Sequence, residues 1–238
     1  MNIVKVEHLT KQYGSQQAVS DVNFTIDKGE IVGYLGPNGS GKTTTINIIT
    51  GLVTPDKGKV DVLGCDVAKE YSKLLSRIGV VLDVNGLYER LTAKQNLEFF
   101  LNACGKSIDM KELDNMMELL QLKNDIDKKV KCFSKGMKRK LALARVLLVK
   151  PEMVFLDEPF DGIDIEVREE IIQLIRYYQE EYSTSFMLTS HVMADIEELA
   201  TRIIVIREGK IIIDEGIMTF KEREGDSLTN KYLKVVKK

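Results

Sequence analysis

Three stretches of this chain carry residue types whose spacing can do chemistry. The first, GPNGSGKT at residues 36–43, fits the pattern GxxxxGK[ST]. It stands between an apolar run, EIVGYLG, and a helix-patterned run, TTTINIITGL. Its glycines let the backbone curl so that N–H groups converge on an anion. The helix start behind it adds partial positive charge. In that setting Lys42 reaches the β- and γ-phosphates of a nucleotide, and the Thr43 hydroxyl ligates Mg²⁺. The second stretch, MVFLDEPFDGID, is an apolar run followed by Asp157, Glu158, Asp161 and Asp164. Adjacent carboxylates at the end of a buried strand repel each other and desolvate poorly. Alone they would read as a solvated acidic turn. Beside a phosphate loop, Asp157 stands where a carboxylate holds Mg²⁺, and Glu158 suits a base that polarises water. The third stretch, SFMLTSH, ends an apolar run on His191, which either caps the strand or joins this chemistry.

These residues need strands and helices to bring them together. NIVKVEHL and VNFTIDKGE alternate as half-exposed strands, GKVDVLGCDV reads as a strand and turn, and RIGVVLD reads as a buried strand ending at Asp83. From 91 to 150 the period becomes helical. TAKQNLEFFLNAC opens with Thr92 and Gln95 at capping-box spacing, and MKELDNMMELLQL repeats apolar residues at i, i+3 and i+4. MVFLD, SFMLTS and RIIVIRE then read as strands, EVREEIIQLIRYYQEEY as a long amphipathic helix, and REGKIIIDEG as a hairpin about Glu208 and Gly209. The closing NKYLKVVKK is basic and expected to be peripheral. Strands alternating with helices predict an α/β fold: a mostly parallel sheet covered on both faces, an N-terminal antiparallel β subdomain and an inserted helical subdomain. One domain is expected, with residues 1–83 and 151–220 as nucleotide-binding core, 84–150 as helical subdomain and 221–238 as a short tail.

Composition removes several other classes. The 238 residues are 44% hydrophobic and 29% charged with a formal net charge of −2, which suits a sizeable core and not a general nucleic-acid binder. Cys65, Cys104 and Cys132 lie far apart with no CxxC pair, against a disulfide scaffold or zinc site and in keeping with a reducing compartment. The N-terminus, MNIVKVEHLTKQYG, is neither a signal nor a transit peptide. No apolar run approaches the ~18 residues that span a bilayer, so a membrane role requires a partner. The basic run over 128–150 lacks interleaved aromatics. It reads as a solvated helix face over Leu141, Ala144 and Leu148. His8 is expected at the surface.

With these motifs in hand, the chain resembles the ATP-binding cassette family, the nucleotide-binding subunits of ABC transporters. GPNGSGKT looks like its Walker A motif, MVFLDE its Walker B with the catalytic glutamate, FSKGM its signature, FDGID its D-loop, and TSH its switch histidine. The matches run in the family's order from Tyr13 to His191. The resemblance implies that Gly36, Pro37, Asn38, Gly39, Ser40, Gly41, Lys42, Thr43 and Thr44 bind ATP, and that Tyr13 stacks on adenine unless it is an ordinary strand aromatic. It implies Thr43 and Asp157 on Mg²⁺, and Glu158 and His191 in catalysis. It further implies two cassettes facing head to tail, with Ser134 and Gly136 of one contacting the nucleotide of the other. Asp161 and Asp164 would lie in the loop that crosses this interface. The helix reading of GMKRKLALARVLL would aim a positive dipole end at that phosphate.

The chain departs from the family at three places. Lys135 replaces the signature's first glycine and Met137 its glutamine, while the contact positions remain. Asp83 stands where the family has glutamine. There it either binds Mg²⁺, enters the catalytic set and slows or re-times hydrolysis, or points away and serves only the partner. The combination of Asp83, GLYERLT and SKGM resembles cassettes of drug- and peptide-antibiotic exporters of the bacitracin type. The expected partners are ATP, integral membrane subunits and a second cassette, most simply a second copy. The expected location is the cytoplasmic face of the membrane. The alternatives are a soluble ABC ATPase acting on nucleic acid or ribosomes, against which stand the single phosphate loop and the lack of heptads, and a nucleotide-sensing module with weak hydrolysis. A P-loop GTPase lacks its guanine motif here.

Overall fold

The computed structural model describes residues 1–82, 86–107, 109–222 and 227–237. The chain opens with β1 (Asn2–Tyr13), β2 (Gln16–Asp27) and β3 (Ile31–Leu35), then α1 (Lys42–Ile49), β4 (Lys57–Val62), β5 (Cys65–Asp66), the short α2 (Val67–Glu70) and β6 (Ile78–Val81). A helical stretch follows: α3 (Ala93–Ala103), α4 (Met110–Leu119) and α5 (Lys135–Leu147). The chain then returns through β7 (Met153–Leu156), α6 (Ile165–Tyr182), β8 (Ser185–Ser190), α7 (Met193–Glu197), β9 (Arg202–Arg207) and β10 (Lys210–Gly216), and ends with α8 (Ile217–Glu222) and α9 (Leu228–Lys237).

Two sheets form. One has the order β2-β1-β4-β5 with antiparallel pairing throughout. The other has the order β10-β9-β3-β8-β7-β6, parallel except for the antiparallel edge pair β9–β10. The turn of that pair is the two-residue connection at Glu208 (φ 50) and Gly209 (φ 74), the left-handed pair that matches strand twist in tight hairpins. β3, β7 and β8 are buried at every position, as strands covered on both faces must be. Their side chains still alternate between two cores. Met153, Phe155 and Met187 join Val4, Ile26 and Ile46 between the sheets. Val154, Leu156, Phe186 and Leu188 pack with Leu141, Leu143 and Ile175 of the covering helices.

Local signals hold where they are strongest. Thr92 caps α3 with the expected reciprocal bonds, Gln95 N donating to Thr92 Oγ1 at 3.1 Å and Thr92 N to Gln95 Oε1 at 2.9 Å. His8 is exposed, paired with Asp21 at 2.8 Å. Two expectations differ from the structure. The terminal segment is not peripheral: α9 buries Leu228 and Tyr232 in the helix-side core, and Arg207 Nη1 donates to Val235 O at 3.1 Å. Leu228 and Tyr232 are four apart, so they share one helical face, and the basic residues around them mask that spacing in composition. The basic run is also not simply a solvated face. Arg139 and Lys140 are buried, Lys140 pairing with Glu170 at 2.7 Å. Lys138 pairs with Glu89, Lys135 with Asp161 and Lys150 with Glu112. Among the described residues no helix is long and apolar enough to cross a membrane.

Candidate active site

The parallel register brings three strand ends together. Leu35 of β3 pairs with Ser190 of β8, and Leu188 of β8 pairs with Leu156 of β7. The loop after β3, Asp157 and Glu158 after β7, and Thr189 to His191 at the end of β8 therefore converge at the carboxyl edge of the sheet. That edge is where open α/β sheets hold ligands.

The loop from Gly36 to Gly41 folds against the sheet edge at close range. A Cβ on Gly36 would lie 2.3 Å from Ile206 O and 2.5 Å from Ser40 Oγ, so only glycine fits there. Gly41 takes φ 109 and starts α1. Lys42 is buried and its ammonium donates to Gly36 O at 2.8 Å and Pro37 O at 3.3 Å, with Glu158 Oε1 at 3.2 Å. Thr43 Oγ1 donates to Asp157 Oδ2 at 3.0 Å, and Thr189 Oγ1 to Asp157 Oδ1 at 2.6 Å. The same Thr189 hydroxyl accepts the Glu158 N–H at 2.9 Å. Glu158 sits at φ 46, a left-handed conformation costly for a side chain with a Cβ. Its Oε2 lies 3.0 Å from His191 Nδ1. Lys42, Glu158 and His191 thus form one chain of charged and polar contacts beside the Thr43–Asp157 pair.

These groups line a cavity of about 460 Å³ together with Tyr13, Gln16, Ala18, Asn38, Gly39, Gly41, Thr44 and Asp161. The residues fit a polyphosphate with a hard cation. A buried hydroxyl of the loop, Ser40 Oγ, has no hydrogen-bond partner among the described residues. Lys42 supplies the positive charge, and Thr43 and Asp157 supply the oxygen donors that Mg²⁺ prefers. Tyr13 is half exposed at the cavity rim with Lys11 Nζ 5.5 Å from its ring centre. Ser134 and Gly136 do not line this cavity. Ser134 caps α5, accepting from Met137 N at 3.2 Å. Gly136 is packed inside the chain, where a Cβ would lie 2.9 Å from Val167 Cγ2. Asp83 lies outside the described residues.

Four neighbours of the site escaped the sequence reading. Thr189 is fully buried and joins Asp157 to Glu158; the polar TS pair ending an otherwise apolar strand was its signal. Arg139 is buried, donating from Nη1 to Leu82 O at 3.1 Å and from Nη2 to Glu158 O at 3.3 Å. It shares a helical face with the buried Leu143 and Val146, spacing that marks an inward-facing arginine. Asp195 accepts from Ser190 Oγ at 3.0 Å, and burial raises its carboxyl above the usual range. Tyr232 is pushed up to about 12 by burial and by the Glu158 charge, so the last helix stands within electrostatic reach of the site.

A phosphate loop and paired carboxylates at the carboxyl edge of a mostly parallel sheet define a P-loop nucleotide-binding fold. The chain belongs to the ABC transporter family, whose model matches residues 19–161. It is similar to the bacitracin transport ATP-binding protein BcrA of Bacillus licheniformis, with 38% identity over 222 residues covering 93% of this chain and 72% of the relative. It is similar to a solved ATP-binding subunit of an ABC transporter, with 26% identity, a TM-score of 0.89 and coverage of 98% of this chain and 99% of that one. It is also similar to a dimeric ATP-binding cassette solved in a post-hydrolysis state with ADP and Pi. That likeness is 27% identical, with a TM-score of 0.81 and coverage of 90% of this chain and 98% of that one. The chain is an ATP-binding subunit of a transporter and an ATPase.

Proposed function

We propose that this chain powers export of a drug or peptide antibiotic through membrane subunits it docks at their cytoplasmic face, and that ATP closes two copies head to tail. The likeness to a bacitracin transport protein supports the cargo class. The likeness to a dimeric cassette with ADP and Pi supports the paired state. In each site, Gly36 to Thr44 hold the triphosphate and Tyr13 stands at its rim as the base contact. Ser134 and Gly136, absent from their own cavity, complete the site of the partner copy. Thr43 and Asp157 hold Mg²⁺, which when bound neutralises charge on the phosphates. Asp83, in place of the family's glutamine, tunes the rate of hydrolysis, and Asp83→Gln changes the steady-state rate or its Mg²⁺ dependence. The core of residues 1–83 and 151–220 holds the nucleotide and the helical insertion of 84–150 presents Ser134 and Gly136, with 221–238 as a short terminal segment outside these tasks.

One observation carries the catalytic part: Glu158 is held left-handed, between Lys42 and His191. Arg139 and Thr189 fix its backbone from both sides. Its carboxylate takes a proton from the attacking water, and His191 orients that carboxylate through Nδ1. Lys42 exchanges its loop carbonyls for phosphate oxygens. Glu158→Gln keeps the shape and removes the base, so phosphate release from MgATP falls about 10²-fold or more, while ATP affinity stays within about threefold. A Glu158→Gln variant that hydrolyses at the parental rate would remove this residue from the chemistry. Affinity purification from detergent-solubilised membranes tests the partner: a co-purifying integral membrane subunit supports the transport reading, and a ribosomal or nucleic-acid partner contradicts it.

A further inference from the structure

Lys135 is the first residue of α5, directly after the capping Ser134. Its ammonium lies 3.0 Å from Asp161 Oδ2, on the loop that follows the catalytic Glu158. Both side chains are about half exposed, at 52% and 49%. The lysine tip passes over Gly162, which is left-handed at φ 62; a Cβ there would lie 2.5 Å from Nζ and 3.5 Å from Cε. Gly162 therefore clears the path by which the ammonium reaches Asp161. Asp161 lines the nucleotide cavity of its own chain with Lys42 and His191. The Lys135 hydrogen bond holds its carboxyl below the usual range.

We propose that Lys135 is a phosphate-binding residue with two alternative anions: Asp161 in its own chain, and the terminal phosphate of the nucleotide held by a second copy. This rests on the head-to-tail reading above, since that reading turns Ser134 toward the partner's nucleotide. Lysine suits the exchange because its ammonium is a compact charge on a flexible stem. An exposed ion pair is weak, so the Asp161 contact gives way readily. A phosphate in a closing interface offers a more highly charged, charge-assisted partner. Asp161 is then released into its own cavity as the copies close, so the pair links arrival of the partner's nucleotide to the loop behind Glu158.

The two anions compete for one ammonium, so the two single substitutions act with opposite sign. Lys135→Met removes the phosphate contact and weakens ATP-driven pairing. Asp161→Asn removes the competitor and strengthens it. A static brace between α5 and the loop would make both substitutions act in the same direction. The experiment is a MgATP titration of the Glu158→Gln chain followed by sedimentation velocity, reading the ATP concentration at half-dimerisation. We expect Lys135→Met to raise it about fivefold or more and Asp161→Asn to lower it about twofold or more, the double variant following Lys135→Met. A Lys135→Met midpoint within about twofold of the parent, or shifts of equal sign in both variants, overturns the proposal. If the Glu158→Gln parent itself stays monomeric at saturating MgATP, the head-to-tail reading falls and takes this inference with it. A parent that pairs while Lys135→Met leaves the midpoint unmoved refutes this inference alone.

Discussion

Replacing Thr189 by valine removes one hydroxyl from the centre of the site. That hydroxyl donates to Asp157 Oδ1 at 2.6 Å and accepts the Glu158 N–H at 2.9 Å, in a side chain with no solvent exposure. Valine fills nearly the same space but satisfies neither group. The lost charge-assisted bond and the stranded N–H together cost about 2–3 kcal/mol, after allowing for the methyl gained. For a chain of this length that lowers the melting temperature by about 5–10 °C. The kinetic effect has a separate origin. Glu158 is left-handed, and the Thr189 hydroxyl is the acceptor that holds its N–H, while Arg139 and the Asp161 N–H hold its carbonyl. Releasing it lets the carboxylate drift, and misplacement of about 1 Å costs about 10²-fold in rate. The assays are thermal unfolding followed by circular dichroism and steady-state phosphate release. Thr189→Ser, which keeps the hydroxyl, is the control and should restore both within about threefold in rate. A Thr189→Val variant that melts within about 1 °C of the parent and turns over within about twofold would refute the argument.

Two further outcomes follow from the same geometry. Lys42→Ala removes the buried ammonium that the loop carbonyls and Glu158 share, so affinity for a fluorescent ATP analogue falls about tenfold or more. Asp195 has its carboxyl pKa raised by burial. Its folded form holds the proton more tightly than the unfolded form, so its contribution to stability is full below its unfolded value and fades as pH rises through the folded value. Asp195→Asn therefore gains stability relative to the parent on going from pH 3.5 to pH 7. Urea unfolding at both pH values checks this, and a relative change in the other direction contradicts it.

The phosphate loop and the paired carboxylates were legible because their chemistry restricts residue choice at fixed spacing. GxxxxGK[ST] needs glycine where Ile206 and Ser40 crowd the backbone, and a buried strand rarely ends in two acids without a cation beside it. The order of strands in the sheet was not legible, and with it went the residues that matter only through neighbours. Thr189 is an ordinary strand residue until β8 is paired with β7 in register. Arg139 looks like one more base in a basic run until α5 is turned inward and its guanidinium meets two carbonyls. The same holds for α9, whose basic composition hides the Leu228 and Tyr232 face. Gly136 shows the converse case. The family resemblance accounts for it as a contact to the nucleotide of a second copy, and the structure adds a cause within the chain, the packing of α5 against Val167.

On the function proposed above, each site is completed by Ser134 and Gly136 of another copy. Equilibrium sedimentation of Glu158→Gln with and without MgATP tests it most directly, run beside Glu158→Gln carrying Ser134→Arg. MgATP should double the mass of the first protein and leave the second monomeric. A Glu158→Gln chain that stays monomeric at saturating MgATP, or a Ser134→Arg variant that pairs as well as its parent, would contradict it.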